Sequence, residues 1–205
     1  NRLPGDGCDA ALDWWFDQLD VADSQQKIVG VPGSEYYVTS EIALVVSSNK
    51  KFGIIDFNGS MIVDGISAGS NVIDISADGA LWRNWSIVNL WIAMATADAG
   101  LFIDGGVSTS SEFLYRFVID HPIIEGVPAG SKGIHIKNNT FEFNIYDPEI
   151  TAVQQTLDTD TVPILIESDT DEPTSVGIQG GTVAGGYYGI WNKGAGAPKL
   201  SGNLT

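Results

Sequence analysis

Apolar residues in this chain fall into short alternating runs, and two such patterns take turns along it. The first reads Val72-Ile73-Asp74-Ile75, Leu101-Phe102-Ile103, Ile134-His135-Ile136, Ile164-Leu165-Ile166 and Gly189-Ile190-Trp191. Aligning Ile75, Ile103, Ile136, Ile166 and Trp191 gives steps of 28, 33, 30 and 25 residues. The second reads Phe52-Gly53-Ile54-Ile55-Asp56-Phe57, Trp85-Ser86-Ile87-Val88 and Tyr115-Arg116-Phe117-Val118-Ile119. It continues as Phe141-Glu142-Phe143-Asn144-Ile145 and Val176-Gly177-Ile178-Gln179-Gly180. Strands that return at this interval build a solenoid. Their β-branched and aromatic composition, with period-two polarity, makes it a β-helix rather than a stack of helices. The expected fold is all-β, a right-handed parallel β-helix, with handedness taken from the general rule for parallel crossovers.

The first segment follows a different period. Asp9 stands at an N-cap position, and Leu12, Trp15, Phe16 and Leu19 follow at i, i+3, i+4, i+7. This predicts an amphipathic helix over about Ala10 to Leu19, with Trp14 off its apolar stripe. The open end of a β-helix exposes apolar side chains and unpaired strand edges, so it needs a cover. The helix is therefore read as an N-terminal cap. Residues 1–26 form this motif and cap, and residues 27–205 form the β-helix, whose last segment from Pro198 reads like the start of a further turn.

Gly5-Asp6-Gly7, the helix after it, and then Val31-Pro32-Gly33 leading to Tyr37-Val38 carry a resemblance. They are similar to the opening of pectate-lyase-like parallel β-helix proteins, a group that includes phage tailspikes and polysaccharide depolymerases. The usual form has a Thr-Asp-Asp cluster and Pro-x-Gly-x-Tyr. Here Cys8-Asp9 and Pro32-Gly33-Ser34-Glu35-Tyr36 stand in those places. The resemblance implies the fold, a homo-oligomer such as a trimer, and a polysaccharide partner. It carries no catalytic residue, because the matching motif is structural.

If the apolar residues of each run point inward, the first row presents Asp74, Phe102, His135, Leu165 and Ile190 outward, followed by Ser76, Asp104, Lys137, Glu167 and Asn192. The second row presents Arg116, Val118, Glu142 and Asn144, with Asp120 just beyond. Neighbouring rungs are about 4.8 Å apart, so carboxylates on adjacent rungs come within the range glycoside hydrolysis needs. Asp104, Asp120, Glu142 and Glu167 are the candidate catalytic carboxylates. Arg116, His135, Lys137 and Tyr146 are the candidate substrate-binding groups, the cations being suited to hold an acidic sugar. For any one of them an ordinary solvated position is the plainer reading. Trp82, Trp91, Tyr146, Tyr187 and Tyr188 fall near expected turns, and Trp191 fits the inward stack.

Charge narrows the partners. The net charge is −16, from 10 Lys and Arg against 26 Asp and Glu. Such a surface disfavours nucleic acid, which needs cationic contacts. No apolar run reaches the ~18 residues of a membrane-spanning helix. Cys8 is the sole cysteine, so no intrachain disulfide forms. Asp158-Thr159-Asp160 and Glu167-Ser168-Asp169-Thr170-Asp171-Glu172 offer oxygen ligands that calcium would accept. Solvated acidic loops are the plainer reading, and no cofactor is expected. The Asn-x-Ser/Thr sequons at Asn58, Asn84, Asn138 and Asn203 are not read as glycosylation sites.

Three functions stay open. One is a phage tailspike-type protein, placed on a virion tail or outside the cell, that binds a surface polysaccharide, with cleavage left open. Another is a free secreted polysaccharide lyase, epimerase or glycoside hydrolase. The third is a non-catalytic structural or adhesive β-helix.

Overall fold

Three parallel sheets wind around one apolar axis in the computed structural model, which describes residues 8–21, 27–47, 49, 52–106, 113–153, 158–167 and 174–193. The helix α1 (Asp9–Val21) leads into β1 (Lys27–Val29), β2 (Glu35–Val38) and β3 (Ile42–Val46). The second rung is β4 (Gly53–Asp56), β5 (Met61–Asp64) and β6 (Asn71–Ala77). The third is β7 (Leu81–Val88), β8 (Trp91–Ala93) and β9 (Ala99–Asp104). The fourth is β10 (Phe113–Asp120), β11 (Ile123–Val127) and β12 (Lys132–Lys137). The fifth is β13 (Thr140–Tyr146), β14 (Glu149–Ala152) and β15 (Val162–Glu167), and the last is β16 (Thr174–Gln179), β17 (Thr182–Ala184) and β18 (Ile190–Lys193). Every third strand pairs, so sheet A runs β1-β4-β7-β10-β13-β16, sheet B β2-β5-β8-β11-β14-β17 and sheet C β3-β6-β9-β12-β15-β18. The chain is thus an all-β, right-handed-type parallel β-solenoid with one short N-terminal helix.

Sheets C and A are the two rows visible in the sequence. Sheet B is a third row, which the alternation did not announce. Its strands Met61–Asp64, Trp91–Ala93 and Thr182–Ala184 are too short to show a period. The last rung also pairs one residue away from the alignment expected from the sequence. Ile166 pairs with Asn192, and Leu165 pairs with Trp191. Trp191 therefore belongs to the outward column and Ile190 to the inward one, the reverse of the sequence expectation.

Inside, equivalent side chains stack at the strand spacing. Trp85, Phe117 and Phe143 stack face to face with centroids 4.5 and 4.7 Å apart. Trp82 continues the column, stacked on Trp85 at 4.4 Å. It fits because its neighbour below is Gly53, where a Cβ would run into the Trp82 ring. The buried core otherwise consists mainly of Ile, Leu and Val from all three sheets.

The turn from sheet A to sheet B opens on a left-handed residue in each rung from the second onward. Asn58, Asn89, His121, Asp147 and Gly180 have φ of 52, 54, 52, 45 and 70°. Polar side chains favour that conformation locally and then bond one another across rungs. Asn89 Nδ2 donates to Asp56 at 3.2 Å, and His121 Nε2 lies 3.5 Å from the Asp147 carboxylate.

The turn from sheet B to sheet C is anchored by a buried carboxylate. Asp64 is 4% exposed. Its Oδ2 accepts the backbone N–H groups of Ala95, Thr96 and Ala97 at 2.8, 2.8 and 2.9 Å, and its Oδ1 accepts that of Ile66 at 2.8 Å. One side chain thereby shapes two successive turns.

The helix covers the first rung as expected, with a different role for Asp9. Cys8 supplies the leading carbonyl, accepting from Ala11 and Leu12 N–H. The Asp9 carboxylate instead takes the N–H groups of Thr39 and Ser40, the latter at 2.8 Å, and so pins the helix to the turn after β2. Phe16 is fully buried and meets Phe57 edge-on at 6.4 Å. Trp14 is exposed.

Candidate functional site

The outward face of sheet C gathers most of the chemistry. Parallel register without a bulge places residues of like parity in columns across rungs. One column is Ala43, Asp74, Phe102, His135, Leu165 and Trp191. The next is Val45, Ser76, Asp104, Lys137, Glu167 and Lys193. Of the sequence candidates, Asp104, His135, Lys137 and Glu167 share this face. Arg116, Glu142, Asp120 and Tyr146 lie on sheet A, so the eight residues do not form one site.

Glu167 ties the upper half together. Its Oε2 lies 3.1 Å from His135 Nε2, and its Oε1 lies 2.7 Å from Lys193 Nζ. Burial would raise its pKa, but the bond and charge of Lys193, with the His135 bond beside them, outweigh that and hold it below the usual value. His135 is only 14% exposed at its side chain. Burial lowers its pKa to about 4, against the opposing pull of Glu167. At neutral pH the ring is therefore uncharged, and with its proton on Nε2 it donates to Glu167. Phe102 meets it edge-on at 5.0 Å.

Asp74 and Asp104 sit one rung apart on the lower half. Burial, then the neighbouring charge of Glu41, raises the Asp74 pKa to about 6, although Asn71 Nδ2 donates to it at 3.1 Å. Asp104 instead accepts Gly106 N–H at 2.9 Å and Asn138 Nδ2 at 3.2 Å. One strand spacing and a two-residue offset separate their backbones by about 8 Å. Asp74 was visible in the sequence as an outward residue. Its significance depends on burial and on Glu41, which the sequence pattern does not reveal.

Aromatic rings complete the upper end. Tyr188 lies 4.8 Å from Trp191, tilted at 37°, and Lys193 Nζ sits 5.3 Å over the Trp191 ring. Tyr187 and Tyr188 are exposed. Trp82, by contrast, is core.

On sheet A, Arg116 Nε donates to Glu142 at 2.8 Å, and that bond lowers the Glu142 pKa. Asp120 and Tyr146 are register partners at the top of sheet A. Among the described residues no group of three or more His, Cys, Asp or Glu is arranged to hold a metal ion. Asp158 Oδ1 accepts the Asp160 N–H at 2.9 Å within its own loop. Ser168, Asp169, Thr170, Asp171 and Glu172 of the other acidic stretch lie outside the described residues. Among the described residues, no helix is long and apolar enough to cross a membrane.

No protein family, curated protein or solved structure matches this chain.

The two perturbed groups on sheet C predict opposite pH dependences. His135 is uncharged in both states above pH 6.5. As pH falls towards 4 the unfolded chain takes up the proton first, so the native state loses stability. His135→Asn is therefore expected to gain about 3 kcal/mol relative to wild type between pH 6.5 and 4. Asp74 has a raised pKa, so its contribution is fullest below 3.8 and is lost as pH rises through about 6. Asp74→Asn is expected to gain on wild type over that interval. Urea denaturation at stepped pH reads both, and parallel profiles for variant and wild type would contradict the burial of these groups.

Proposed function

We propose that this chain is a polysaccharide-binding β-solenoid of the tailspike type, acting on a virion tail or outside the cell, and that it hydrolyses the glycan it holds. The observation that carries this reading is the outward face of sheet C. There, Asp74 with its raised pKa, the Asp104 carboxylate one rung on, neutral His135, the cations Lys137 and Lys193, and the rings of Phe102 and Trp191 line successive rungs. A glycan strand laid along the solenoid axis would meet them in sequence. Sugar rings have one apolar face for the aromatics and hydroxyls for the polar groups between them.

Glycoside hydrolysis assigns one carboxyl as general acid and one as base, and a carboxyl whose pKa is raised by burial suits the acid role. Asp74, with its pKa raised to about 6, is the general acid and delivers its proton to the leaving oxygen. Asp104 takes a proton from the water whose oxygen bonds to the anomeric carbon. Glu167 stays ionised, orients His135 and Lys193, and serves binding rather than proton transfer. The resemblance at the N-terminus supports the tailspike class and with it a threefold assembly, which sedimentation equilibrium reads directly.

A depolymerisation screen against acidic and neutral polysaccharides tests the reading. Asp74→Asn and Asp104→Asn are each expected to lower the cleavage rate at least 100-fold, in keeping with a single acid–base contribution. Full activity in both variants removes this assignment. Binding without cleavage in the wild type leaves an adhesive β-helix in place of an enzyme.

A further inference from the structure

Sheet A has an outward cleft that the sheet C site does not use. It measures about 530 Å³ and is lined by Lys27, Ile54, Asn84, Ser86, Arg116 and Val118, among others. A second hollow of about 400 Å³ continues from Arg116 and Val118 to Glu142 and Asn144. The hollow comes from a bend repeated in three strands. Asn84, Arg116 and Glu142 adopt φ of 55, 51 and 50°. They are equivalent, since Tyr115 pairs with Arg83 and Phe141, and Phe117 pairs with Trp85. Each breaks the alternation, so that Leu114 and Phe117 both point inward with two outward residues between them. A non-glycine residue in this conformation costs on the order of 1 kcal/mol, and here it is repeated on three rungs.

The cleft has a defined chemistry. Ile54 and Phe52 are exposed along its floor, 40% and 46% respectively, in a strongly acidic chain. Ser86, Asn84 and Asn144 supply hydrogen-bonding groups beside them. Lys27 and Arg116 stand on strands three steps apart, about 14 Å along the axis. Each is largely exposed and held by one carboxylate, Asp56 at 3.1 Å and Glu142 at 2.8 Å. Two cations set at that spacing over an apolar floor complement a linear polyanion with flat rings. An arginine guanidinium matches a carboxylate in particular.

We infer that the sheet A cleft is a second, non-catalytic binding site for an acidic oligosaccharide, with a uronate carboxylate on Arg116 and sugar rings on Ile54 and Val118. This site is independent of sheet C. Its ligand displaces the Glu142 carboxylate from Arg116.

Isothermal titration with a mannuronic acid hexamer tests it, with a neutral mannose hexamer as the uncharged control. Arg116→Asn keeps a residue that tolerates the left-handed backbone, and Ser86→Trp fills the cleft. Both are expected to weaken hexamer binding at least tenfold, with unchanged melting temperature, and the neutral hexamer is expected to bind at least tenfold more weakly to wild type. His135→Asn on sheet C is expected to leave this binding in place. The inference is overturned by no binding of the acidic hexamer, by equal binding of the neutral one, or by binding that survives both sheet A variants. Loss in His135→Asn alone would place the acidic ligand on sheet C.

Discussion

Asp64→Ala is expected to destabilise the solenoid by about 4 kcal/mol. The carboxylate is nearly fully buried and takes four backbone N–H groups from two successive turns. Hydrogen bonds to a charged acceptor contribute about 1.5–3 kcal/mol each, and a buried donor left without a partner costs a similar amount. Ala97 is buried, whereas Ala95 and Thr96 are exposed and can turn to water, which keeps the total below the sum of four such bonds. Asp64→Asn retains one acceptor oxygen, so its loss is expected to be about half as large. Urea denaturation gives both values. An Asp64→Ala variant within 1 kcal/mol of wild type would mean that the turns hold themselves.

Phe117→Ala is expected to cost about 4 kcal/mol, within the range for removing a buried phenyl ring. Phe117 is the middle ring of the internal stack and touches Trp85 on one side and Phe143 on the other. The cavity cannot close by collapse, because the rung spacing is set by backbone hydrogen bonds between β7, β10 and β13. Phe117→Leu refills part of the volume and is expected to cost less than half as much. Chemical denaturation with the fluorescence of Trp85 as one probe measures this. A cost for Phe117→Ala no larger than that for Phe117→Leu would show that the volume filled by the ring contributes nothing to stability.

The general course of the chain was legible because a solenoid repeats its pattern. Rungs such as Ile134-His135-Ile136 and Ile164-Leu165-Ile166 state their own inward and outward sides. What escaped the pattern had physical causes. Sheet B strands of three to five residues carry too few alternations to show a period. Trp191 was placed inward because an aromatic residue at the end of a run fits a core position, yet register moves it to the outward column. The bend at Asn84, Arg116 and Glu142 left no signal, since a left-handed residue is normally sought at glycine.

The site was half legible. His135, Lys137, Asp104 and Glu167 were named from alternation alone, and register places all four on one face. Alternation does not say how far apart the two rows lie around the coil. Arg116 and Glu142 were read in the second row, and that row is sheet A. Lys193 and Glu41 act through contacts made 26 to 33 residues away in sequence, as Lys193 does with Glu167 and Glu41 with Asn71 and Asp74. Asp64 looks like any strand-end aspartate until three amides from the next rung converge on it.

A crystal structure of the chain with an oligosaccharide from whichever polysaccharide it depolymerises tests the proposed function most directly. The account predicts sugar rings along sheet C, in contact with Phe102 and Trp191 and with a glycosidic oxygen beside Asp74. A glycan bound to sheet B or at the helix-capped end, with sheet C bare, would contradict it.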